Sequence, residues 1–276
     1  MPFEDHPLFT DPEETKTIWR YIDFTKFVSI LDKNSIFFPS ARELQKIDPW
    51  EGTYLKKVLA FNLKERFELE KSLNKNSCYA KLSNYEIAKE ISQNSKLAYE
   101  NQIDNNFISC WHFNSFESAA MWNLYLKSNE GICIQSDCDS FKKSFQDEDR
   151  KIYIGKVRYK DYANDVYYDD YPVNLFPGFN LFLPFIHKRK IYEHEREYRA
   201  IILNDDNKNL KNGLFIKVDL NTLIKKIILA PASPIWFRDL VRSVIKKYNY
   251  NFEICNSEVD DNPFDYDLSA FKFIIP

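Results

Sequence analysis

The sequence predicts an α+β fold in which a mixed, largely antiparallel sheet is flanked by helices. Apolar segments with period two and segments with helical spacing follow each other irregularly, unlike the regular strand–helix alternation of a doubly wound sheet. The 276 residues include 23 Phe and 17 Tyr but only 5 Gly, which indicates a large aromatic core. We therefore expect a single α+β domain over residues 1–276, with a helical insertion or subdomain near residues 54–101.

The N-terminal third predicts short strands, one amphipathic helix and then two longer helices. Thr17–Ile22 alternates as a strand does and places Arg20 among apolar neighbours. A helix is expected to follow and to end at Asn34, because its apolar residues have i, i+3, i+4, i+7 spacing: Phe24, Phe27, Val28 and Leu31. Ile36–Phe38 predicts a second strand. Apolar residues at helical spacing in the Lys- and Glu-rich residues 54–101 predict two helices, with breaks at residues 74–77 and 83–84.

The rest of the chain predicts further strands and three helices. Asn114 and Glu117 have the spacing of a capping box for a helix over residues 119–125. The expected strands are Phe107–Phe113, Ile132–Gln135, Lys151–Tyr159, Gly213–Asp219, Lys226–Pro231 and Phe252–Cys255. The other expected helices are Phe179–His194 and Pro234–Tyr248.

Composition and missing motifs narrow the function classes. The net charge of −3 argues against a broadly basic nucleic-acid-binding surface, although a nucleic-acid partner stays possible. Five cysteines without a Cys-x-x-Cys pair, and no basic-then-apolar leader, favour free thiols in a cytoplasmic protein without a membrane span. Phosphate-loop, Gly-x-Ser-x-Gly and His-Glu-x-x-His motifs are absent, which disfavours Walker-type nucleotide hydrolysis, α/β-hydrolase chemistry and zincin proteolysis.

The most informative stretch is residues 186–203, where a dense charged run passes into an apolar strand. Helical spacing is expected to end near His194, after which Glu195, Glu197 and Arg199 share one face of a period-two segment. Two carboxylates and an arginine at a strand entrance place this charged end at a sheet edge or cleft. A surface ladder of ion pairs explains the same residues without any function.

Six short segments carry recognisable motifs in this order: Trp19-Arg-Tyr21, Asp48-Pro-Trp-Glu-Gly52, Ser109-Cys-Trp-His112, Glu117-Ser-Ala-Ala-Met-Trp122 with Tyr125, Gly131-Ile-Cys-Ile134 and Lys188–Arg199. Together they cover about residues 17–257 and resemble the bacterial DUF2971 family, a domain family of unknown function. The family name implies no reaction.

A second resemblance suggests a reaction. Arg20 on a first strand, Ser109 on a middle strand and Glu195 or Glu197 at the head of a later strand are similar to the Arg, Ser, Glu order of toxin-type ADP-ribosyltransferases. In that family the arginine supports NAD binding, the serine steadies the catalytic glutamate, and the glutamate contacts the nicotinamide ribose. The sequence departs from the pattern where Ser109 is followed by Cys110, and the Glu-x-Glu element matches in two registers.

The resemblance implies an ADP-ribosyltransferase-like or NAD-cleaving enzyme, with NAD as substrate and an acceptor that the sequence does not specify. A guanidinium matches a diphosphate bidentately, and a carboxylate stabilises the oxocarbenium charge that develops at the ribose. Aromatic rings that are candidates to stack on nicotinamide or adenine are Tyr21, Trp111 and Tyr198, with Arg199 as a further cofactor contact. No metal ligands are predicted.

Two alternatives stay open. A metal-dependent nuclease would use the carboxylates of residues 193–197 with Asp48 or Asp161 as ligands. Lys188 and Arg189 would contact the phosphate, but Arg199 stands where a lysine base is expected. A non-catalytic binding module would use the charged cluster as a rigid hub and the tyrosine-rich loop 160–174 as a contact surface. For Arg20 itself, the bland interpretation is an ion pair with Glu51 or Glu195.

Overall fold

A computed structural model describes residues 3–12, 16–72, 83–145, 148–165, 181–204, 210 and 212–262. The strands are β1 (Thr17–Asp23), β2 (Ser35–Pro39), β3 (Asn106–Phe113), β4 (Gly131–Asp137), β5 (Tyr153–Lys156), β6 (Arg158–Lys160), β7 (His187–Arg189), β8 (Glu197–Leu203), β9 (Gly213–Lys217), β10 (Lys226–Leu229) and β11 (Glu253–Cys255). The α-helices are α1 (Phe24–Lys33), α2 (Ala41–Leu44), α3 (Lys56–Ser72), α4 (Asn84–Asp104), α5 (Ala119–Tyr125), α6 (Cys138–Lys143), α7 (Leu183–Ile186), α8 (Leu220–Leu223) and α9 (Ile235–Lys247).

Seven strands form the central sheet in the order β11-β10-β4-β1-β3-β8-β5. Adjacent strands in this sheet are antiparallel, except that β10 and β11 are parallel. Two small sheets, β2-β9 and β6-β7, accompany it. The predicted α+β class with a mixed, largely antiparallel sheet is therefore confirmed.

Several local predictions are confirmed by the capping geometry. The first helix ends where Asn34 takes a left-handed conformation with φ of 48°, which asparagine tolerates better than most residues. In the helical region, α4 begins at a capping box in which Ser83 and Glu86 bond each other's backbone N–H groups. The predicted break at residues 74–77 lies outside the described residues.

Three local predictions are wrong because long-range contacts override the local pattern. Ser118, and not Asn114, caps α5 by accepting from the Met121 N–H. The expected strand Lys151–Tyr159 divides into β5 and β6. The described part of the expected helix 179–194 is instead α7, the strand β7 and a 3₁₀ helix over Lys190–Glu195, because β7 pairs in parallel with β6.

Buried side chains cover both faces of the central sheet. On one face, Ile18, Trp111 and Tyr198 belong to the largest core, to which α1, α6 and α9 contribute. On the opposite face, Ile108 and Ile201 pack with α7 and with the end of α4. The helices α3 and α4 contact each other and form the predicted helical insertion. Within the described residues, no helix has the length and apolar composition needed to cross a membrane.

The centre of the sheet is divided between β1 and β3. These strands pair only at Ile18/Phe113 and Trp19/His112, whereas β1 with β4, and β3 with β8, pair along seven residues each. Beyond Trp19 the two halves of the sheet are no longer joined by a ladder of backbone hydrogen bonds. We call the gap after Trp19 on β1 and before His112 on β3 the β1–β3 split.

Candidate functional site

Arg20 crosses the β1–β3 split from one half of the sheet to the other. Its Nη1 donates to Ser109 Oγ at 2.5 Å, and its Nη2 donates to the carbonyl of Phe37 on β2 at 3.2 Å. The guanidinium carbon lies 5.5 Å from the centre of the Trp111 ring, within the range of a cation–π contact. The predicted association of Arg20 with Ser109 is therefore present in the fold.

The charge of Arg20 has no carboxylate partner in the described part of the chain. Both of its hydrogen bonds go to neutral oxygens, so the alternative of an ion pair with Glu51 or Glu195 is wrong. The Arg20 side chain as a whole is half-buried. Its guanidinium group has nevertheless lost solvation, and this lowers the pKa of Arg20 to about 10. The split thus contains an uncompensated cation, the kind of group that an anionic ligand stabilises.

A second cluster of charged side chains lies beside β8, and its members form ion pairs with one another. Lys188 Nζ donates to Glu195 Oε2 at 2.5 Å and to Glu197 Oε1 at 2.6 Å. Arg199 donates to Glu197 Oε2 at 2.5 Å, and it holds Glu51 bidentately at 2.7 and 3.0 Å. All five side chains are buried, and we call them the β8 ion-pair network.

The β8 ion-pair network contains three carboxyl groups and two cations, so one carboxyl proton makes it neutral. Burial, followed by the hydrogen bond and the charge of Glu197, raises the pKa of Glu195 to about 8. Although burial acts in the other direction, Arg199 and Lys188 hold the pKa of Glu197 well below its ordinary value. At neutral pH Glu195 therefore keeps the proton and Glu197 is the anion.

Strand register separates the two charged groups. On the β3–β8 pair, Ser109 stands opposite Ala200, whereas Glu197 stands opposite His112. Since neighbouring residues on a strand point to opposite faces, Ser109 and Glu197 lie on different faces of the sheet. The expected contact in which Ser109 steadies a glutamate is not formed.

Glu195 and Glu197 also differ from the sequence expectation. Arg196 has φ of 41°, so β8 begins at Glu197 and Glu195 belongs to the preceding 3₁₀ helix. The strand is not at the sheet edge, since β3 and β5 flank it. The two carboxyl groups nevertheless converge, because Lys188 binds both of them.

Two polar side chains lie near both the β1–β3 split and the β8 ion-pair network. Cys110 and Tyr125 both lie within electrostatic range of Arg20 and of Glu197. Cys110 is half-buried and Tyr125 is 42% exposed, so solvent reaches this region from the side of α5. Loss of solvation around the sulfur and the hydroxyl oxygen raises the pKa of both groups, which keeps the thiol and the phenol protonated at neutral pH.

The rings proposed for stacking on a nucleotide are covered by protein. Trp111 packs against Phe141, Tyr21 packs edge-on against Trp122, and the Tyr198 hydroxyl donates to Asp11 at 2.6 Å. Each of the three proposed rings is at most 5% exposed. Their stacking role stays a prediction, and it requires movement that uncovers a ring.

His112 has a ring nitrogen near these residues that is available to act as a base. Its Nδ1 lies 2.7 Å from the carbonyl oxygen of Glu195, which can only accept, so Nδ1 carries the proton. Nε2 is then a lone-pair acceptor, buried and without a hydrogen-bond partner in the described structure. Burial lowers the pKa of the ring, which favours this neutral form.

Comparison of the chain with protein-family models, with curated proteins and with solved structures finds no match. The candidate site therefore has to be judged on its own chemistry. Among the described residues, no group of three His, Cys, Asp or Glu side chains is arranged to hold a metal ion. The nuclease alternative gains no support from the carboxylates of residues 193–197, since Glu195 and Glu197 bond to Lys188 and Arg199, and Asp48 bonds to Arg189.

The residues that sequence reasoning missed are mainly the partners of predicted ones. Glu51 was weighed as a partner of Arg20 and instead binds Arg199. Lys188 was expected to meet phosphate in the nuclease alternative and instead joins the two glutamates. Both lie in the quoted motifs, but their pairing depends on contacts 148 and 9 residues apart in the chain.

Proposed function

We propose that the protein binds an anionic nucleotide of the NAD type at the β1–β3 split, with Arg20 pairing with its diphosphate. The observation that carries this proposal is the desolvated Arg20, whose two hydrogen bonds go to neutral oxygens. A guanidinium has five N–H donors, and Arg20 leaves part of this fork available. Diphosphate oxygens supply both the missing charge and a matching bidentate geometry.

The activity proposed for this site is cleavage of the bond between nicotinamide and ribose, with Glu195 as the acting carboxyl group. Both oxygens of Glu197 are bonded to cations, whereas Glu195 has one oxygen on Lys188. A bound nicotinamide ring is cationic, and its charge favours ionisation of Glu195.

Cleavage of the bond between nicotinamide and ribose proceeds with the following movement of electrons and protons. The bond electrons leave with nicotinamide, and the Glu195 carboxylate stabilises the oxocarbenium ion on the ribose. Water or another acceptor adds to that carbon, and Glu195 takes the proton that the acceptor loses. Because the sheet separates Arg20 from Glu195, a ligand that contacts both has to pass through the β1–β3 split.

The test combines NAD binding with nicotinamide release. Calorimetry on the wild type is expected to detect NAD binding, and Arg20→Lys is expected to weaken it at least tenfold, about 1.4 kcal/mol, because a single ammonium cannot bind a diphosphate bidentately. Glu195→Gln is expected to bind NAD and to release no nicotinamide in a chromatographic assay. Absence of NAD binding by the wild type would sink the proposal.

A second candidate is a binding module without catalysis, and the closed β8 ion-pair network favours it. A network in which every ionised group is matched serves as a rigid structural element. The tyrosine-rich loop assigned to partner contact extends over residues 160–174, of which 166–174 lie outside the described residues. NAD binding in the wild type without any release of nicotinamide would select this candidate over the enzyme.

A further inference from the structure

The first two turns of α9 present large apolar side chains to solvent. Ile235 is 90% exposed, Trp236 is 54% exposed and Leu240 is 40% exposed. The other side of the helix is buried in the main core, to which it contributes Phe237 and Val241. Trp236 and Leu240 are four residues apart, so they lie on the same face of α9. We call Ile235, Trp236 and Leu240 the α9 patch.

The α9 patch lies beside a helix end and a cation that both favour an acid. Pro234 is the N-cap of α9 and offers no side-chain acceptor to the first N–H groups of the helix. Arg238 donates to Asn256 Oδ1 and to the Ile254 carbonyl, both at 2.9 Å. These acceptors are neutral, and the described residues give Arg238 no carboxylate partner. Contiguous apolar patches mark interaction sites, and the occupant that fits this one combines apolar side chains with an acid.

The described chain ends beside the α9 patch. Asp260 Oδ2 accepts from the Ala232 N–H at 2.7 Å, three residues before α9 begins at Ile235. The bonds of Arg238 hold the segment after β11 along the first turns of the same helix. Asn262, the last described residue, follows Asp260 by two positions, which is at most about 7 Å of chain. The rest of the chain therefore starts near the patch.

Residues 263–276 follow this point and lie outside the described residues. Apolar and aromatic residues dominate their sequence, which is Pro263-Phe-Asp-Tyr-Asp-Leu-Ser-Ala-Phe-Lys-Phe-Ile-Ile-Pro276. In its first part, Phe264, Tyr266 and Leu268 alternate with two aspartates and a serine. An extended chain of this length spans up to about 46 Å, whereas α9 is about 20 Å long. The segment is therefore long enough to contact the whole α9 patch.

We propose that the α9 patch is a docking surface for residues 263–276 of the same chain. Aromatic and aliphatic side chains of this segment cover Trp236 and Leu240 and lose contact with water. Asp265 and Asp267 bring negative charge to the start of α9, where the first N–H groups and Arg238 lack an acidic partner in the described structure. The segment thus supplies both kinds of group that the patch and its surroundings favour.

Covalent attachment favours this occupant over a separate molecule. A segment tethered close to its docking surface has an effective concentration in the millimolar range, so weak apolar contacts are enough to hold it. A separate partner has to pay the full loss of translational and rotational freedom for the same contacts. The proposal is independent of the NAD site, because it uses no residue of the β1–β3 split or of the β8 ion-pair network.

The reactivity of a cysteine placed in the patch tests the proposal. In the full chain, Leu240→Cys is expected to react with a water-soluble maleimide at least tenfold more slowly than Leu97→Cys, a control on α4 where the leucine is 64% exposed. Adding Phe271→Asp and Phe273→Asp is expected to raise the rate at position 240 at least tenfold, since a carboxylate does not stay on an apolar surface. Phe271→Leu with Phe273→Leu is the matched control and is expected to keep position 240 protected. Mass spectrometry of peptides measures each cysteine separately.

The outcomes separate the possible occupants of the patch. Equal rates at positions 240 and 97, a comparison that needs no change in residues 263–276, would overturn the proposal. Protection of position 240 that survives the two aspartate substitutions would overturn it as well, and protection that is lost on dilution would assign the patch to a second copy of the chain. Cys133 is buried, so slow labelling of its thiol shows that a variant is folded. If the double aspartate variant exposes Cys133, Phe271→Asp alone replaces it.

Discussion

The β8 ion-pair network is buried and Arg20 is half-buried, and the charges of the two are balanced in different ways. In the network, three carboxyl groups share two cations and one proton, and every ionised group has a partner. Arg20 has lost solvation without gaining a carboxylate in the described structure. The network is complete without a ligand, whereas Arg20 is not.

A shifted pKa therefore has two different causes in this protein, ion pairing in the β8 ion-pair network and loss of solvation at Arg20. Glu197 and Arg199 have strongly shifted pKa values because they stabilise each other, which is common in structural networks. The pKa of Arg20 is lowered by the loss of solvation, which no carboxylate in the described structure offsets. The conspicuous charges of residues 186–203 are therefore weaker evidence for a binding site than a single arginine on β1.

The largest expected effect is the loss of a network cation. Arg199→Met removes the cation that pairs with Glu51 and leaves Glu197 with Lys188 alone, which is expected to lower the free energy of unfolding by about 3–5 kcal/mol. Chemical denaturation measures this change. The matched control is Arg42→Met, which breaks the exposed pair with Asp104 and is expected to cost at most about 1 kcal/mol. Equal losses in the two variants would contradict the difference drawn between these pairs.

Arg20→Met is expected to destabilise the protein less than Arg199→Met does. It leaves Ser109 Oγ and the Phe37 carbonyl without their donor but removes a desolvated charge, so we expect a loss of about 1–2 kcal/mol. The same denaturation experiment measures it, and NAD calorimetry then tests the ligand role separately. A loss as large as that of Arg199→Met would show that Arg20 is a structural cation with an unrecognised partner.

The third expected effect is the proton linkage of Glu195, which changes stability gradually with pH. Its pKa in the folded protein, about 8, is above the ordinary 4.5, so folding takes up a proton between these values. Stability from this group is fully present below about pH 4.5 and is lost as the pH rises to about 8. Relative to Glu195→Gln, the wild type is expected to lose up to about 1.4 kcal/mol per pH unit in this window.

Denaturation curves for the wild type and Glu195→Gln between pH 5 and about 8.5 measure this slope. The variant keeps a neutral side chain of the same shape, and therefore serves as the control for other groups that titrate in the same range. A difference between the two proteins that stays constant over this range would show that Glu195 is ionised in the folded network.

Local sequence patterns predicted many of the individual elements. The helix beginning at Phe24 and the strand containing Arg20 follow from the spacing of apolar residues and from turn chemistry at Asn34. Failures occurred where distant segments compete with the local pattern. His187–Arg189 forms a strand because Arg158–Lys160 lies beside it, and no window around residue 188 contains that information.

The composition of the candidate site was also partly predictable, and its grouping was not. Arg20 and Ser109 were expected together and do bond, but the glutamates were expected with them and lie across the sheet. A shift of one residue in strand register reverses the face of every side chain, so period two alone cannot place two strands' residues on a common face.

By itself, the sequence determined the α+β class, most elements and the presence of a charged junction near residue 195. These features depend on periodicity, capping and composition, which are local properties of the chain. Only the tertiary structure decided which charges are paired. Electrostatic energy depends on distances in space and on desolvation, and it is the strand order that brings Glu51 to Arg199 and leaves Arg20 with neutral neighbours.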